Sequence, residues 1–156
     1  MGFSSIGLAI ILIIFAPNLL YIKYSPKDIP DDLRAVSGVF TALERVGQTA
    51  FFIILILSKN NYQNIKINIW FVLMVISITV YYGLWIRYIT KGKYFSLLFK
   101  PIWRIPIPMA IFPVLAFGFA ALLGKSIYLG LAIVVFAIGH FVNSWNSYIR
   151  TKIRWT

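Results

Sequence analysis

The chain has 156 residues, of which 60% are hydrophobic and only 12% are charged. A typical soluble domain has about a quarter of its residues charged, and a small domain needs proportionally more polar surface than a large one. These numbers exclude a water-soluble globule and predict a polytopic membrane protein. The chain contains no cysteine, which excludes disulfides, thiolate metal sites and cysteine nucleophiles.

Five segments are candidates for membrane-spanning helices. A helix needs about 20 mostly apolar residues to cross the hydrocarbon core, and four segments meet this requirement without a Lys, Arg, Asp or Glu: 1–22, 67–86, 105–124 and 126–149. The fifth segment, 35–58, contains Glu44 and Arg45, and its uninterrupted apolar part is too short to span alone.

The distribution of basic residues favours five spans over four. The chain has 15 Lys and Arg residues against 4 Asp and Glu, and basic residues concentrate in cytoplasmic loops. With five spans, eleven basic residues lie on one side, three on the other and Arg45 within the membrane; with four spans the split is eight to seven. The sequence therefore predicts a single all-α domain over residues 1–156, a polytopic transmembrane bundle of five helices, with spans at about 3–22, 35–58, 67–89, 105–124 and 126–149.

The same rule sets the orientation and the expected partners. The basic side is predicted to be cytoplasmic, with the N-terminus outside and the C-terminus in the cytoplasm. The composition, rich in Ile, Asn and Lys, is typical of an AT-rich bacterial source, so we expect the membrane to be a bacterial plasma membrane. There the basic residues meet anionic lipids. We expect no nucleic-acid binding, because no loop is long enough to present a basic face. Asp31 and Asp32 are expected to stabilise the N-terminus of the second helix.

Polar residues recur at helical spacing in the second and fifth spans. Glu44 and Gln48 belong to one stripe, and His140 and Asn143 to another, both on single helix faces. From the predicted helix ends, Glu44 and His140 each lie roughly 13 Å deep from the cytoplasmic end, and Tyr81 roughly 12 Å. We therefore expect a polar layer in the cytoplasmic half of the bundle, formed by Glu44, Arg45, Gln48, Tyr81, His140 and Asn143.

Three interpretations of this layer stay open. It can join the helices through hydrogen bonds. It can line a ligand-binding cavity whose basic rim holds an anionic head group, the rim being Arg87, Lys91, Lys93, Lys100 and Arg104. It can also perform acid–base catalysis, although no catalytic set is recognisable. One histidine and one intramembrane glutamate are too few ligands for zinc, so we expect neither a metal nor a cofactor.

Short motifs resemble those of uncharacterised small five-span membrane proteins of low-GC Gram-positive bacteria. They are Pro17-Asn18 with Tyr21 in the first span, Glu44-Arg45-Val46-Gly47-Gln48 in the second and Gly139-His140 in the last. The resemblance implies that the acid, the Gly-Gln pair and the histidine occur together, which favours a shared site, and it implies no particular activity.

The sequence therefore favours a non-enzymatic membrane protein of accessory, regulatory or immunity type. It would bind a small ligand, a lipid or a partner protein through a cytoplasm-facing polar pocket. A small-molecule or proton-coupled carrier acting as a homo-oligomer and a lipid-modifying enzyme are the alternatives.

Overall fold

The computed structural model describes residues 2–29, 37–63 and 65–153. In these ranges the chain is helical and contains no β-strand beyond isolated bridges. The helices are α1 (Ser5–Lys23), α2 (Gly38–Leu57), α3 (Lys59–Tyr62), α4 (Ile69–Thr90), α5 (Pro108–Leu123) and α6 (Ile127–Ile153), with one 3₁₀ turn at Phe95–Leu98. The predicted α-helical class is thus confirmed.

Local hydrogen bonds explain where two of the helices begin. The Ser4 hydroxyl accepts from the backbone N–H of Gly7 at 3.0 Å, and the Asn68 side chain accepts from Phe71 at 3.1 Å. Both are N-cap contacts that satisfy an amide otherwise left without a partner. The first and third predicted spans therefore begin two residues later than the sequence indicated.

Within the described ranges, four helices are long and apolar enough to cross a membrane: α1, α2, α4 and residues Ile127–Thr151 of α6. Helix α5 is apolar but has only 16 residues, or about 24 Å at the usual rise. The fourth predicted span was to begin at Ile105, but Ile102 and Ile105 pair their backbones in a turn. Pro108 then opens the helix, where its missing N–H costs nothing.

The end of the fifth predicted span differs by four residues. The last helix continues to Ile153 rather than ending at Ile149, since no glycine or proline follows Ile149 in it. The predicted start of the second span at Ala35, and the acids Asp31 and Asp32, lie outside the described residues.

Successive long helices run in opposite directions. At one end of the bundle, the Tyr88 hydroxyl near the end of α4 donates to the carbonyl of Tyr24, just after α1, at 2.7 Å. Asp28 of the same loop accepts from the backbone N–H of Phe95 at 3.0 Å. We call this end, which carries residues 24–29 and 91–107, the loop end.

The opposite end is fastened by the short helix α3. Asn61 donates to the carbonyl of Gly124 at 2.8 Å, and the buried Tyr62 hydroxyl donates to that of Ala120 at 2.9 Å. Burial raises the pKa of Tyr62 well above its usual value. The N-terminal segment joins this end too, because Gly2 donates its backbone N–H to Leu57 at 3.1 Å.

The main hydrophobic core joins buried residues of α1, α2, α5 and α6, with Tyr62 of α3 and Met74 of α4, and the outer surface is apolar. The ring of Phe51 contacts those of Phe117 and Phe136, with centroids 4.6 and 5.1 Å away. Large aliphatic side chains such as Leu12 and Leu131 point outward instead and are 59% and 60% exposed. An apolar interior within an apolar exterior is the pattern of a helical membrane protein.

Candidate functional site

Two glycines bring α2 and α6 into backbone contact. A Cβ atom on Gly47 would lie 2.3 Å from the backbone nitrogen of Phe136, and one on Gly139 would lie 2.4 Å from the carbonyl oxygen of Phe40. No side chain fits into such gaps, so glycine is required at both positions. Small residues allow this close approach between helices in apolar surroundings, and here they place the polar stripes of the two helices opposite each other.

Glu44 is the centre of the contact. Its Oε1 lies 2.7 Å from Nδ1 of His140, and its Oε2 accepts a hydrogen bond from the Asn143 side-chain amide. Both carboxylate oxygens are therefore bonded, as an acid among apolar helices requires. Each oxygen has two acceptor sites, so Glu44 retains capacity for a further donor. The side chains of Glu44 and His140 each remain 25% exposed.

The histidine ring is held in a fixed orientation. It stacks on Phe136, one turn earlier in α6, with centroids 4.9 Å apart and an interplanar angle of 18°. When Glu44 is ionised, its carboxylate only accepts hydrogen bonds, so the Nδ1 that faces it then carries the proton. In the neutral ring Nε2 is then the acceptor.

A cavity of ≈ 370 Å³ adjoins this pair. All five long helices contribute to its wall, mostly from the half nearer the loop end, and residues 98–99 contribute from the loop. Ligand pockets in proteins typically measure about 300–1,000 Å³ and are mostly apolar with a few polar groups. This cavity matches that description, because Glu44, Gln48 and His140 line it among aromatic and aliphatic side chains.

A second polar cluster contributes to the cavity wall from α1 and α4. The Tyr81 hydroxyl donates to Oδ1 of Asn18, and both residues line the cavity. Trp85 lies one turn further along α4 and is 5% exposed. Its indole N–H makes no hydrogen bond of full geometry among the described residues, but a weak hydrogen-bonding interaction joins it to the Tyr81 hydroxyl.

The structure brings together five of the six residues of the predicted polar layer. Glu44, Gln48, Tyr81 and His140 line the cavity, and Asn143 holds Glu44. Arg45 is different, because its side chain is exposed and is not part of the cavity wall.

The predicted basic rim lies at the loop end but does not line the cavity. Arg87 donates to the carbonyl oxygens of Leu97 and Lys100, at 3.3 and 3.0 Å, and so holds the turn after α4. The Lys93 ammonium lies 4.7 Å from the centre of the Tyr24 ring, a cation–π contact. The other three rim residues are exposed: Lys91, Lys100 and Arg104.

Sequence reasoning did not assign Asn18 and Trp85 to the site. Asn18 belongs to the Pro17-Asn18 motif of the first span, and an asparagine within an apolar helix is itself a signal for an inward-facing partner. Trp85 gave no such signal, since tryptophan near a predicted span end normally indicates the membrane interface.

Comparisons with known proteins identify no relative of this chain. No family model matches the chain, and neither a curated protein nor a solved structure matches it.

Proposed function

We propose that the protein is a bacterial plasma-membrane protein with five spans, an external N-terminus and a cytoplasmic C-terminus. The alternating direction of the long helices supports the odd number of spans, with α5 as a short central span that neighbouring helices shield. The eleven-to-three distribution of basic residues supports a cytoplasmic loop end.

Its function, in this proposal, is to bind a small ligand in the cavity beside Glu44 and His140. The observation that carries the proposal is that a hydrogen-bonded Glu44–His140–Asn143 cluster faces ≈ 370 Å³ of space instead of packed side chains. Polar groups that only join helices need no adjoining space. A cluster that borders a cavity of ligand size is the usual arrangement of a binding site.

The chemistry of the wall suits binding and gives no support for catalysis. Glu44 can accept a further hydrogen bond. Nε2 of His140 is also an acceptor in the neutral ring when Nδ1 carries the proton. Gln48 adds an amide that can donate and accept. The remaining wall is largely hydrocarbon, which suits the apolar body of a lipid-like or amphipathic molecule.

Accessibility of single cysteines tests the proposal, because the native chain has none. Gln48→Cys, on the cavity wall, should react with a small water-soluble methanethiosulfonate added to the cytoplasmic face of inverted vesicles. Ile53→Cys lies on the same helix, at a position 52% exposed on the outer surface, and should be protected by lipid. Lys91→Cys, in the exposed turn after α4, should react fully and serves as the positive control.

Two results would contradict the proposal. If the Gln48→Cys protein is as unreactive as the Ile53→Cys protein while the Lys91→Cys protein reacts, the cluster only joins the helices. If the Lys91→Cys protein reacts only from the external face, the proposed orientation is inverted.

A further inference from the structure

The charged side chains that line the cavity differ from those of the protein as a whole, whose net charge is +11. Fifteen Lys and Arg residues are present in the chain, yet among the described residues that line the cavity none is Lys or Arg. Glu44 is the one acidic side chain there, beside His140. An anionic ligand would therefore meet a carboxylate with no lysine or arginine on the wall to compensate it, which disfavours such a ligand.

The wall is also rich in aromatic rings. Seven of the lining residues are Phe, Tyr or Trp, among them Phe15, Trp85 and Phe117. The face of an aromatic ring attracts a cation through its quadrupole, and quaternary ammonium groups are recognised in this way. A carboxylate beside several aromatic rings is the combination of groups expected to bind an organic cation.

Building on the proposed binding function, we infer that the ligand is an amphipathic organic cation, an ammonium group attached to an apolar body. The ammonium lies beside Glu44 and against the aromatic wall, and the apolar body fills the rest of the cavity. His140 and Asn143 hold the carboxylate in place through both oxygens, so the negative charge is fixed where the cation binds.

A weakly bonded donor on the cavity wall is compatible with a bound ligand. The indole N–H of Trp85 is buried and makes no hydrogen bond of full geometry among the described residues, only a weak interaction with the Tyr81 hydroxyl, and Trp85 lines the cavity. Buried N–H groups are nearly always paired in folded proteins. A ligand that carries an oxygen acceptor, such as a hydroxyl or carbonyl near its ammonium, would complete this hydrogen bond.

The test compares three probes of nearly equal shape: benzyltrimethylammonium, the neutral neopentylbenzene and the anionic phenylmethanesulfonate. Binding to the full-length protein in neutral detergent is measured by calorimetry, with protein-free micelles as the blank. We expect the cation to bind at least about tenfold more tightly than either analogue.

Two matched variants at one position test the electrostatic argument without touching the Glu44 contacts. Gln48→Lys adds a competing cation to the wall and should weaken binding of the cationic probe about tenfold or more. Gln48→Met, of similar size and neutral, removes the wall amide without adding charge and should weaken binding of the cation less than Gln48→Lys does. Glu44→Gln should abolish the preference for the cation over the neutral probe.

A second measurement uses the Gln48→Cys protein. Cationic methanethiosulfonate ethyltrimethylammonium should react with its cysteine faster than anionic methanethiosulfonate ethylsulfonate, by a larger ratio than in the Lys91→Cys protein, where the cysteine is exposed.

Equal ratios in the two proteins, or binding of the neutral or anionic probe as tight as that of the cation, would overturn the inference while leaving the cavity a binding site. Failure of all three probes would also overturn it, and an unreactive Gln48→Cys protein would separately reject the proposed binding function.

Discussion

The two glycines at the contact of α2 and α6 allow a quantitative test of the site. In Gly139→Ala the new methyl group would lie 2.4 Å from the carbonyl oxygen of Phe40 and 2.5 Å from the backbone nitrogen of Glu44. Ordinary contacts begin near 3.4 Å, so the helices must separate by about 1 Å. Overpacking of this kind costs about 1–3 kcal/mol.

The same helix provides the matched control. A Cβ on Gly130 would meet nothing within 4 Å, so Gly130→Ala only removes the conformational freedom of a helical glycine. That change stabilises a helix by about 0.5–1 kcal/mol. Because Gly139 is also helical, both variants share this gain, and we expect the free energy of unfolding of Gly139→Ala to lie about 1–3 kcal/mol below that of Gly130→Ala. Unfolding in mixed micelles with increasing dodecyl sulfate, followed by circular dichroism, measures the difference.

A local readout distinguishes damage to the site from general instability. The chain has a single histidine, so the imidazole ¹⁵N spectrum reports on His140 alone. A separation of about 1 Å would stretch the 2.7 Å contact between Glu44 and His140 beyond hydrogen-bonding distance and shift the Nδ1 signal, whereas Gly130→Ala should leave it unchanged. If both variants are equally stable and give the wild-type spectrum, the close backbone contact does not exist and the reasoning is refuted.

Two further predictions concern the two ends of the bundle. Tyr62→Phe removes the hydrogen bond to the carbonyl of Ala120 and should lower the free energy of unfolding by about 1 kcal/mol; the same substitution at Tyr128, which is 72% exposed, should change it by less than about 0.5 kcal/mol. Asp28 has a φ of 67° and accepts from the N–H of Phe95, so Asp28→Ala should destabilise the loop end by about 1–3 kcal/mol. Asp28→Asn keeps an acceptor and a residue tolerant of this φ and should be nearly neutral. Thermal unfolding measures both pairs, and equal melting temperatures within either pair would contradict the corresponding contact.

The helices were predictable because continuous apolar runs dominate the sequence, whereas their ends depend on local contacts. The shortening of α5 is the clearest case. Hydropathy counted Ile105 as part of the span, but the backbone turn between Ile102 and Ile105 and the left-handed conformation of Ile107 depend on conformations that hydropathy does not encode.

The polar layer was predictable as far as helical periodicity reaches. Spacing placed Glu44 on one face and His140 and Asn143 on another, and the structure brings these faces together. Periodicity does not say which side of a helix faces its neighbour. Gly47 supplies that information: it lies about 60° from Glu44 on one side, while Arg45 lies about 100° away on the other. Because α6 packs against Gly47, Arg45 is directed outward.

The hydrogen bond between Glu44 and His140 joins residues 96 positions apart in the chain, and this separation has a consequence during synthesis. Ribosomes add about 5–20 residues per second, so roughly 5–20 s pass between the addition of the glutamate and that of the histidine. During this interval α2 carries an acid whose partners on α6 do not yet exist. The nascent helix must therefore stay at the lipid–water interface or against the insertion machinery, or carry its carboxyl protonated, until the last helix arrives. Completion of the polar cluster is thus a late event in the biogenesis of this protein.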